Sequence, residues 1–202
     1  MACVSYLTGF RTSCGSNLAS IKTIWVGQFG SAVFSYEYQK DDQGQYVVDE
    51  DNHKIIEKVT GATLQANYPE WVEFQFRKNT SEMTTEMTRN DNGSFYFTNA
   101  ANLVFAKQNQ QKRLALQATA SGDCSMIVLD SNGIYWLIGS DNPVTASTLS
   151  ATTGVAVGDA NQYSLTLRIV SPSICMPVPL DEDEAATILA GLLPVPTPAP
   201  SN

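Results

Sequence analysis

The sequence contains no long apolar stretch. A helix that crosses a bilayer needs about 20 consecutive apolar residues, and no run in the chain approaches that length. The first residues, MACVSYLTGFRTSCGS, also lack the basic region followed by an apolar core that a secretory signal requires. We therefore expect a chain that is not a membrane protein and that stays in the cytosol of the cell that makes it.

The sequence is also poor in side chains that carry catalysis or hold metals. His53 is the single histidine and lies among acidic residues, where a surface loop is a poor place to exclude water from a catalytic triad. No CxxC pair occurs among the four cysteines, Cys3, Cys14, Cys124 and Cys175, so metal-ligand spacing is absent. The phosphate-binding motifs GxGxxG and GxxxxGKS/T are absent as well. We expect no enzymatic activity, no cofactor and no metal.

Acidic residues gather in one polar stretch of the chain: Asp41, Asp42, Asp49, Glu50 and Asp51. Clustered carboxylates can hold a hard cation, but an EF-hand loop places its acids at alternate positions followed by glycine. This spacing differs, so we interpret the cluster as a solvated charged tip. The sequence leaves open whether it binds a cation.

The sequence has fewer basic than acidic residues. Twelve Lys and Arg against 20 Asp and Glu give a net charge of -8, which argues against a groove that grips nucleic acid. The same charge suits a wall past which DNA slides as cargo, and it also suits a protein that is acidic for solubility alone.

The strongest structural pattern is a hairpin over Cys124 to Gly139. Two apolar runs flank Asp130-Ser131-Asn132-Gly133, and strand-forming runs on either side of Asn-Gly are a strong hairpin signal. Neither run alternates with polar residues, so both faces of these strands need cover. We predict that this hairpin forms the centre of a β-rich core.

Further strands are predicted on both sides of this hairpin. Residues 21–29, 32–38, 94–98 and 102–105 are rich in β-branched and aromatic residues. Trp71 to Arg77 alternates, with Val72, Phe74 and Phe76 on a buried face, and residues 163–169 alternate in the same way. The three tryptophans, Trp25, Trp71 and Trp136, lie in such runs and are predicted to pack in the core.

Two helices are predicted. Ala106 to Ala120 has no Gly or Pro and places Leu114, Ala115 and Ala118 on one apolar stripe. Four acids at 181–184 precede AATILAGLL and complement the positive end of a short helix over 181–193. The prolines after it predict an extended tail that is neither helix nor central strand.

The domain organisation follows from these patterns. Residues 1–19 predict an N-terminal arm, residues 20–180 a single β-rich domain, and residues 181–202 a short helix with a Pro-rich tail. Within the domain, residues 39–69 predict an acid-rich excursion that projects from the core, with a small hairpin across 49–54. Residues 140–161 hold small and hydroxylated side chains and predict a long loop.

The order of these features resembles virion structural proteins of tailed phages that infect Bacteroidota, including crAss-like phages. The resemblance rests on SNLASIKTIWVGQF, NGSFYF, a Gln/Lys-rich helix, IVLDSNGIYWLIG and GVAVGDANQYSLTLRI, and it covers most of residues 14–193. It implies a tail-tube-like or connector-ring subunit, a β-sandwich or β-barrel with one flanking α-helix and a short C-terminal helix.

The resemblance also implies partners and a location. Copies of the chain would form rings of a tail tube in the virion tail or neck, assembled in the host cytoplasm, with other virion proteins as neighbours and DNA as passing cargo. Residues 140–161 would reach a neighbouring ring, and residues 71–105 would include strands of the sheet between subunits. The candidate interface residues are Asp141, Asn142, Pro143, Gly154, Gly158, Phe74, Phe76, Phe95 and Phe97.

Other functions fit the same sequence. The enlarged excursion at 39–69 and the Pro-rich tail at 194–202 depart from the family pattern, and they leave a tail tube and a head-to-tail connector ring undecided. A head-fibre or tail-fibre adaptor would need exposed aromatics, with Trp71, Tyr46 and Tyr68 as candidates. A cell-wall hydrolase would need a catalytic constellation, and the sequence offers none.

Overall fold

The computed structural model describes residues 18–48, 52–76, 80–156, 158–171 and 178–194. The described chain is mainly β, with three antiparallel sheets and two helices, as the sequence predicts. The strands are β1 (Ile21–Gln28), β2 (Ala32–Tyr38), β3 (Ile56–Leu64), β4 (Val72–Gln75), β5 (Glu82–Arg89), β6 (Phe95–Ala106), β7 (Cys124–Asp130), β8 (Tyr135–Ile138), β9 (Thr145–Thr152), β10 (Gln162–Ser171) and β11 (Val178–Pro179). The helices are α1 (Gln110–Ser121) and α2 (Ala185–Leu192).

The central layer is a five-stranded sheet in the order β11-β8-β7-β1-β4. The predicted hairpin supplies β7 and β8, which pair from Met126 opposite Ile138 to Leu129 opposite Tyr135. Asp130 Oδ1 accepts hydrogen bonds from the backbone N–H groups of Asn132 and Ile134 and so closes the turn. The predicted position of this hairpin at the centre of the core is confirmed.

One face of the central sheet packs against a four-stranded sheet in the order β5-β6-β10-β9. The two sheets bury one apolar cluster between them, to which α1 adds Leu116. On the sheets, the cluster includes Ile24, Met126, Val128, Leu103, Leu165 and Leu167, all 1% exposed or less. These two sheets form a β-sandwich-like core.

The other face of the central sheet packs against β2, β3 and α2. Trp25, Trp71 and Ile127 meet Ile188 and Leu192 of α2 in a second apolar cluster. The prediction that both faces of the central strands need cover is therefore confirmed. Each large side chain so buried stabilises the fold by about 1.5–3 kcal/mol relative to its exposed state.

The sequence interpretation of residues 39–69 is wrong for its second half. Residues 56–64 form β3, which pairs with β2 along its length, and Val59 is fully buried against α2 and the central sheet. The acid-rich composition of the whole stretch hid this strand, whose apolar residues Ile56, Val59, Ala62 and Leu64 do not alternate, and two irregularities interrupt its pairing with β2. The first half does form small turns: Val47 O accepts from Ile55 N, and Asp41 Oδ1 accepts from the N–H groups of Gln43 and Gln45.

The prediction of a loop over residues 140–161 is also wrong for the middle of this range. Residues 145–152 form β9, which pairs with β10 from Thr152 opposite Gln162 to Thr145 opposite Arg168. Its Ser, Thr and Ala side chains give little hydrophobic alternation, because most of this strand is exposed. The pairing with β10 determines its structure.

The long helix begins later than predicted and buries a different stripe. Ala106 still belongs to β6, and Lys107 has a positive φ of 64°, so the helix cannot start there. Asn109 caps α1 by accepting a hydrogen bond from Lys112 N at 2.7 Å. Leu116 is buried, whereas Leu114 is 52% exposed.

The ends of the chain and four internal stretches (49–51, 77–79, 157 and 172–177) fall outside the described residues. The predicted N-terminal arm (residues 1–19) lies outside the described residues as far as residue 17. The predicted Pro-rich tail lies outside them from residue 195 onward.

Cys124 is a buried free thiol, whose pKa is raised by its burial. Along the described ranges, no helix combines the length and apolar character needed to span a membrane.

Candidate subunit interface

The four-stranded sheet has two long free edges. Its outer strands, β5 and β9, are each eight residues long and each pairs on one side only, with β6 and β10 respectively. In the described parts of the chain, no strand pairs with their outer edges. A long unpaired edge presents backbone N–H and C=O groups that can bind another strand.

Helix α1 packs against β9, and Gln108 Nε2 donates a hydrogen bond to Thr152 O at the end of this strand, but the residues of β9 give its edge little protection of their own. Folded proteins guard exposed edges with charged side chains, proline or very short strands. The sequence of β9, TASTLSAT, contains no charge and no proline. Leu149, near the middle of β9, is 43% exposed although it lies opposite the buried Leu165. The free edge therefore combines an open backbone with an apolar side chain.

The edge formed by β5 has a similar apolar component. Met83 packs on the core opposite Ala101, and Met87 on the same side of the strand is 55% exposed. The glutamates Glu82 and Glu86 lie on the opposite side of β5. Both edges thus present apolar side chains on the side of the sheet that faces the core.

The face of this sheet that points away from the core is rich in hydroxyl groups. The strand registers place on it Thr84, Thr88, Thr98, Thr148, Ser150, Thr152, Ser164 and Thr166. Several polar groups on this face are hydrogen bonded to one another. Thr166 Oγ1 donates to Asn102 Oδ1 at 3.0 Å, and Asn102 Nδ2 donates to Glu82 Oε1 at 2.9 Å. The charged groups here are Glu82, Glu86 and Arg168.

The predicted interface residues occupy separate places in this fold. Phe74 and Phe76 are half-buried, and their rings pack within the subunit against Phe105 at 5.6 and 5.1 Å. Phe95 and Phe97 lie at the tip of the β5–β6 hairpin, with their rings 5.9 Å apart. An interface role for each pair stays a prediction, and the second pair is the more accessible because Phe95 is 45% exposed.

The remaining candidates lie before and after β9. Asp141, Asn142 and Pro143 connect β8 to β9; Asp141 is exposed and the other two are half-buried. The connection passes Tyr36, which hydrogen bonds Ser140, and burial raises the pKa of Tyr36.

Gly154 and Gly158 lie in the turn between β9 and β10, of which the structure describes residues 153–156, 158 and 159; we call these residues the Val155 turn. Gly154 has a φ of +71°, and a Cβ there would lie 2.3 Å from the Asp159 side chain. Asp159 Oδ2 accepts hydrogen bonds from the N–H groups of Ala156 and Val155, both at 2.7 Å. These bonds hold the pKa of Asp159 below its ordinary value. The turn is therefore built by its own hydrogen bonds, and its Val155 is fully exposed.

Sequence reasoning missed the most informative part of this surface, the free edge of β9. The threonines at 145, 148 and 152 are β-branched and favour a strand, so a strand signal was present. It was weak because small and hydroxylated residues also favour loops.

The described residues offer little chemistry for catalysis. No group of three or more His, Cys, Asp or Glu side chains within them is placed to hold a metal ion. Trp71 is 1% exposed, so its ring is not available to stack on a ligand. Tyr46 is 47% exposed, and the ammonium group of Lys54 lies 3.9 Å from the centre of its ring.

Comparison with known proteins gives no relative. No family model, no curated protein and no solved structure matches the chain. The resemblance to phage virion proteins therefore stays a prediction.

Proposed function

We propose that the chain is a virion structural protein that assembles into closed homo-oligomeric rings of a phage tail tube, a conduit for DNA. The observation that carries this proposal is the eight-residue edge of β9, which contains no charge and no proline and lies on the same sheet as the free edge of β5. Pairing β9 of one subunit with β5 of the next removes both edges at once.

The strand directions favour this pairing. All neighbours in the sheet are antiparallel, from β5 through β6 and β10 to β9, so β9 of one copy and β5 of the next also run antiparallel when the sheet continues. The contact joins two different surfaces of the same chain. Such a heterologous contact makes a ring when its rotation closes.

The apolar side chains at the two edges support the same contact. Leu149 and Met87 are large apolar residues, each about half exposed, on the core-facing side of the sheet. Continuation of the sheet covers both side chains with a neighbouring copy. Two exposed side chains thus gain the cover that other apolar residues on this side already have.

The hydroxyl-rich face then lines the channel. It carries Glu82 and Glu86 against Arg168, so its charge does not attract a phosphate backbone, in line with the net charge of -8 for the chain. Hydroxyl groups offer weak, exchangeable hydrogen bonds to passing DNA. A surface of this kind suits passage of DNA better than retention.

The test is the assembly state of the purified full chain, measured by light scattering and negative-stain imaging at increasing concentration. We expect rings with a central hole for the wild-type chain and loss of rings for Leu149→Lys, which places a charge at the closed edge. Val33→Lys is the matched control, because Val33 is 56% exposed on the separate β2–β3 sheet. A wild-type chain that stays monomeric, or forms a compact trimer without a hole, contradicts the proposal.

A head-to-tail connector ring uses the same edges, and it differs from a tail tube in forming one ring rather than a stack. Imaging separates them: tubes indicate tail-tube function, and single rings at every concentration indicate a connector.

A head-fibre or tail-fibre adaptor is the second candidate, and the exposed ring of Tyr46 favours it. The Tyr38 and Tyr46 rings lie 6.3 Å apart edge to face, with Lys40 and Lys54 above Tyr46. Aromatic and ammonium groups together can bind sugar or anionic ligands. Binding of the chain to isolated host-envelope polysaccharide that is lost in Tyr46→Ala would favour the adaptor.

A further inference from the structure

The outer strands of the four-stranded sheet are offset from each other along the strand direction. A row of paired residues crosses the sheet from Glu82 through Asn102 and Thr166 to Thr148, and side-chain hydrogen bonds join the first three. Glu82 is the first residue of β5, but Thr148 lies in the middle of β9, which ends four residues later at Thr152. The edge of β9 therefore extends four residues beyond the row at which the edge of β5 begins.

The backbone groups of β5 that face outward belong to alternate residues. In an antiparallel pair, successive residues point their N–H and C=O groups alternately toward the partner strand and away from it. Asn90 N donates to Ser94 O at 2.8 Å just beyond the β5–β6 ladder, and this bond fixes the alternation. Even-numbered residues of β5 thus bond to β6, and the outward groups include those of Met83, Thr85 and Met87.

The free backbone groups of β9 follow from the same alternation. Lys107 N donates to Asn161 O at 2.8 Å beyond the β6–β10 ladder, so even-numbered residues of β10 bond to β9. Their partners in the regular part of β9 are also even-numbered, so Leu149 and Ala151 turn their groups outward. Because outward groups have to meet outward groups, the registers open to β9 and β5 of two copies differ by steps of two residues.

A closed ring needs an offset of this kind, because closure of a sheet requires tilted strands and a staggered register. If β9 pairs with β5 of the next copy along the whole length of both edges, each copy advances by four residues, or about 13 Å, along the strands. The four strands of a copy span about 19 Å in the other direction. These two lengths give a tilt of about 35°, which lies in the typical range of about 35–45° for closed barrels.

Other registers that satisfy the backbone alternation fit the edges less well. An advance of two or of six residues leaves part of both eight-residue edges unpaired. The first tilts the strands by only about 19° and the second by about 46°. Continuation of the sheet with no advance leaves the strands untilted, which does not suit closure.

We propose that β9 pairs with β5 of the next copy with Thr152 opposite Glu82 and Leu149 opposite Thr85, so that the strands of the ring tilt by about 35°. This inference rests on the proposed ring function and assigns the register of its contact. The tilt does not depend on how many copies the ring contains, because each copy adds the same four strands and the same advance of four residues.

The side chains at the two edges fit this register. On the core-facing side, Leu149 lies diagonally between Met83 and Met87 of the next copy, at a separation that long side chains reach across. Leu149 and Met87, which are 43% and 55% exposed in one subunit, are then covered by each other. On the hydroxyl-rich face, Thr148 lies opposite Glu86, where its hydroxyl group can donate a hydrogen bond to the carboxylate.

Disulfide cross-linking measures the register. Ser150 lies opposite Thr84 in it, and the two form a pair without backbone hydrogen bonds, whose Cα atoms lie about 4.5 Å apart, within the span of a disulfide. The double variant Ser150→Cys with Thr84→Cys is prepared in the full chain, with every cysteine except the buried Cys124 replaced by Ser. Within one subunit these positions lie on opposite outer strands, at least about 14 Å apart, so no intramolecular disulfide forms.

Two matched variants report the alternative registers. They keep Ser150→Cys and combine it with Glu82→Cys or with Glu86→Cys, which an advance of two or of six residues would place opposite position 150. In the proposed register these cysteines are displaced by about 7 Å along the strand, which puts them out of disulfide range. We expect mild oxidation of assembled protein to give a ladder of covalent multimers with Thr84→Cys and to stop at dimers with the other two.

Imaging of the wild-type ring measures the register without substitutions. Cryo-electron microscopy is expected to show strands tilted by about 35°, with Leu149 opposite Thr85 of the next copy. Thermal unfolding of the cysteine variants shows whether each one folds, and the wild-type images decide the register if one does not.

The outcomes separate this inference from the ring proposal. Rings whose strands pair in another register, or a ladder that is strongest with Glu82→Cys or Glu86→Cys, overturn the register and leave the ring intact. A ladder with Thr84→Cys from protein that forms no rings supports the register and overturns the closed ring. The absence of both rings and ladders overturns the two proposals together.

Discussion

The indole ring of Trp71 occupies the space that a side chain at position 27 would fill. A Cβ on Gly27 would lie 2.3 Å from Nε1 and Cε2 of that ring. The indole N–H of Trp71 donates a hydrogen bond to Ser31 Oγ at 3.1 Å, and the ring packs edge to face against Phe34. Trp71 thereby joins the start of β4 to β1 and to the second apolar cluster.

Gly27→Ala should destabilise the fold because the added methyl group has to displace the buried indole. We expect a loss of about 1–3 kcal/mol in the free energy of unfolding, the usual cost of overpacking a core, measured by urea denaturation. Gly122→Ala is the control: its Cβ meets only Ala118 O, at 3.7 Å, and its extended backbone suits any residue. Equal unfolding midpoints for the two variants would contradict the packing described for Trp71.

Leu116→Ala should destabilise the fold by about 2–5 kcal/mol, because Leu116 is the buried anchor of α1 in the first apolar cluster. Leu114→Ala, two residues away on the same helix, should change stability by less than about 0.5 kcal/mol, because Leu114 is half exposed. Urea denaturation of both variants measures the difference. A larger loss for Leu114→Ala would show that the helix is rotated relative to the structure.

Asp130→Ala should weaken the central hairpin. The carboxylate accepts hydrogen bonds from Asn132 N and Ile134 N through Oδ1, and from the Trp136 indole N–H through Oδ2 at 3.1 Å. Because hydrogen bonds to charged groups are strong, we expect a loss of about 1.5–3 kcal/mol. Asp130→Asn keeps an oxygen acceptor and should retain part of the stability. Thermal unfolding followed by tryptophan fluorescence compares the two variants.

The pair formed by Lys58 and Asp181 should make stability depend on pH. The hydrogen bond from Lys58, at 2.8 Å, lowers the pKa of Asp181. A carboxyl group with a lowered folded-state pKa contributes stability above its unfolded-state pKa and loses it as the pH falls through the folded-state value. We therefore expect the urea concentration at the unfolding midpoint to decrease as the pH is lowered below about 4. This decrease should be smaller in Asp181→Asn.

At alkaline pH the dependence of stability on pH has the opposite sign, because the pKa of Lys58 is raised. The carboxylates of Asp181 and Glu37 raise the pKa of Lys58, so the stabilisation is complete below the unfolded-state pKa of the lysine and is lost as the pH rises through the folded-state value. Glu182→Gln is the control at both ends of the pH range, since Glu182 is exposed. An acid response in Glu182→Gln that is reduced as much as in Asp181→Asn would show that general charge, and not this pair, causes it.

The elements with strong local signals were predicted well from the sequence. Strand β2 has the predicted bounds, β1 differs at its end by one residue, and the hairpin of β7 and β8 turns at Asp130 to Gly133 as Asn-Gly predicts. The predicted short helix is present, although it begins at Ala185 and not at 181, and it buries Ile188, Leu189 and Leu192. In each case composition and turn chemistry agree with the tertiary environment.

The elements that depend on partners were predicted poorly. Strand β3 is recognisable only through its pairing with β2 and its contact with α2, because its sequence, IEKVTGATL, lies in an acid-rich stretch. Strand β9 depends on β10 in the same way. The exposed Val72 was expected on a buried face, but β4 is an edge strand and the four-stranded sheet does not cover its first residue. The candidate interface depends on these edges, so composition alone could not locate it.

The four strands of the β5-β6-β10-β9 sheet set a unit of size for the proposed channel. Neighbouring strands lie about 4.8 Å apart, so each copy contributes about 19 Å of perimeter before tilt. The bore of the conduit would change only in whole steps of this length, through the gain or loss of a complete subunit. Single substitutions on the hydroxyl-rich face would alter the friction on DNA but leave the calibre of the tube unchanged.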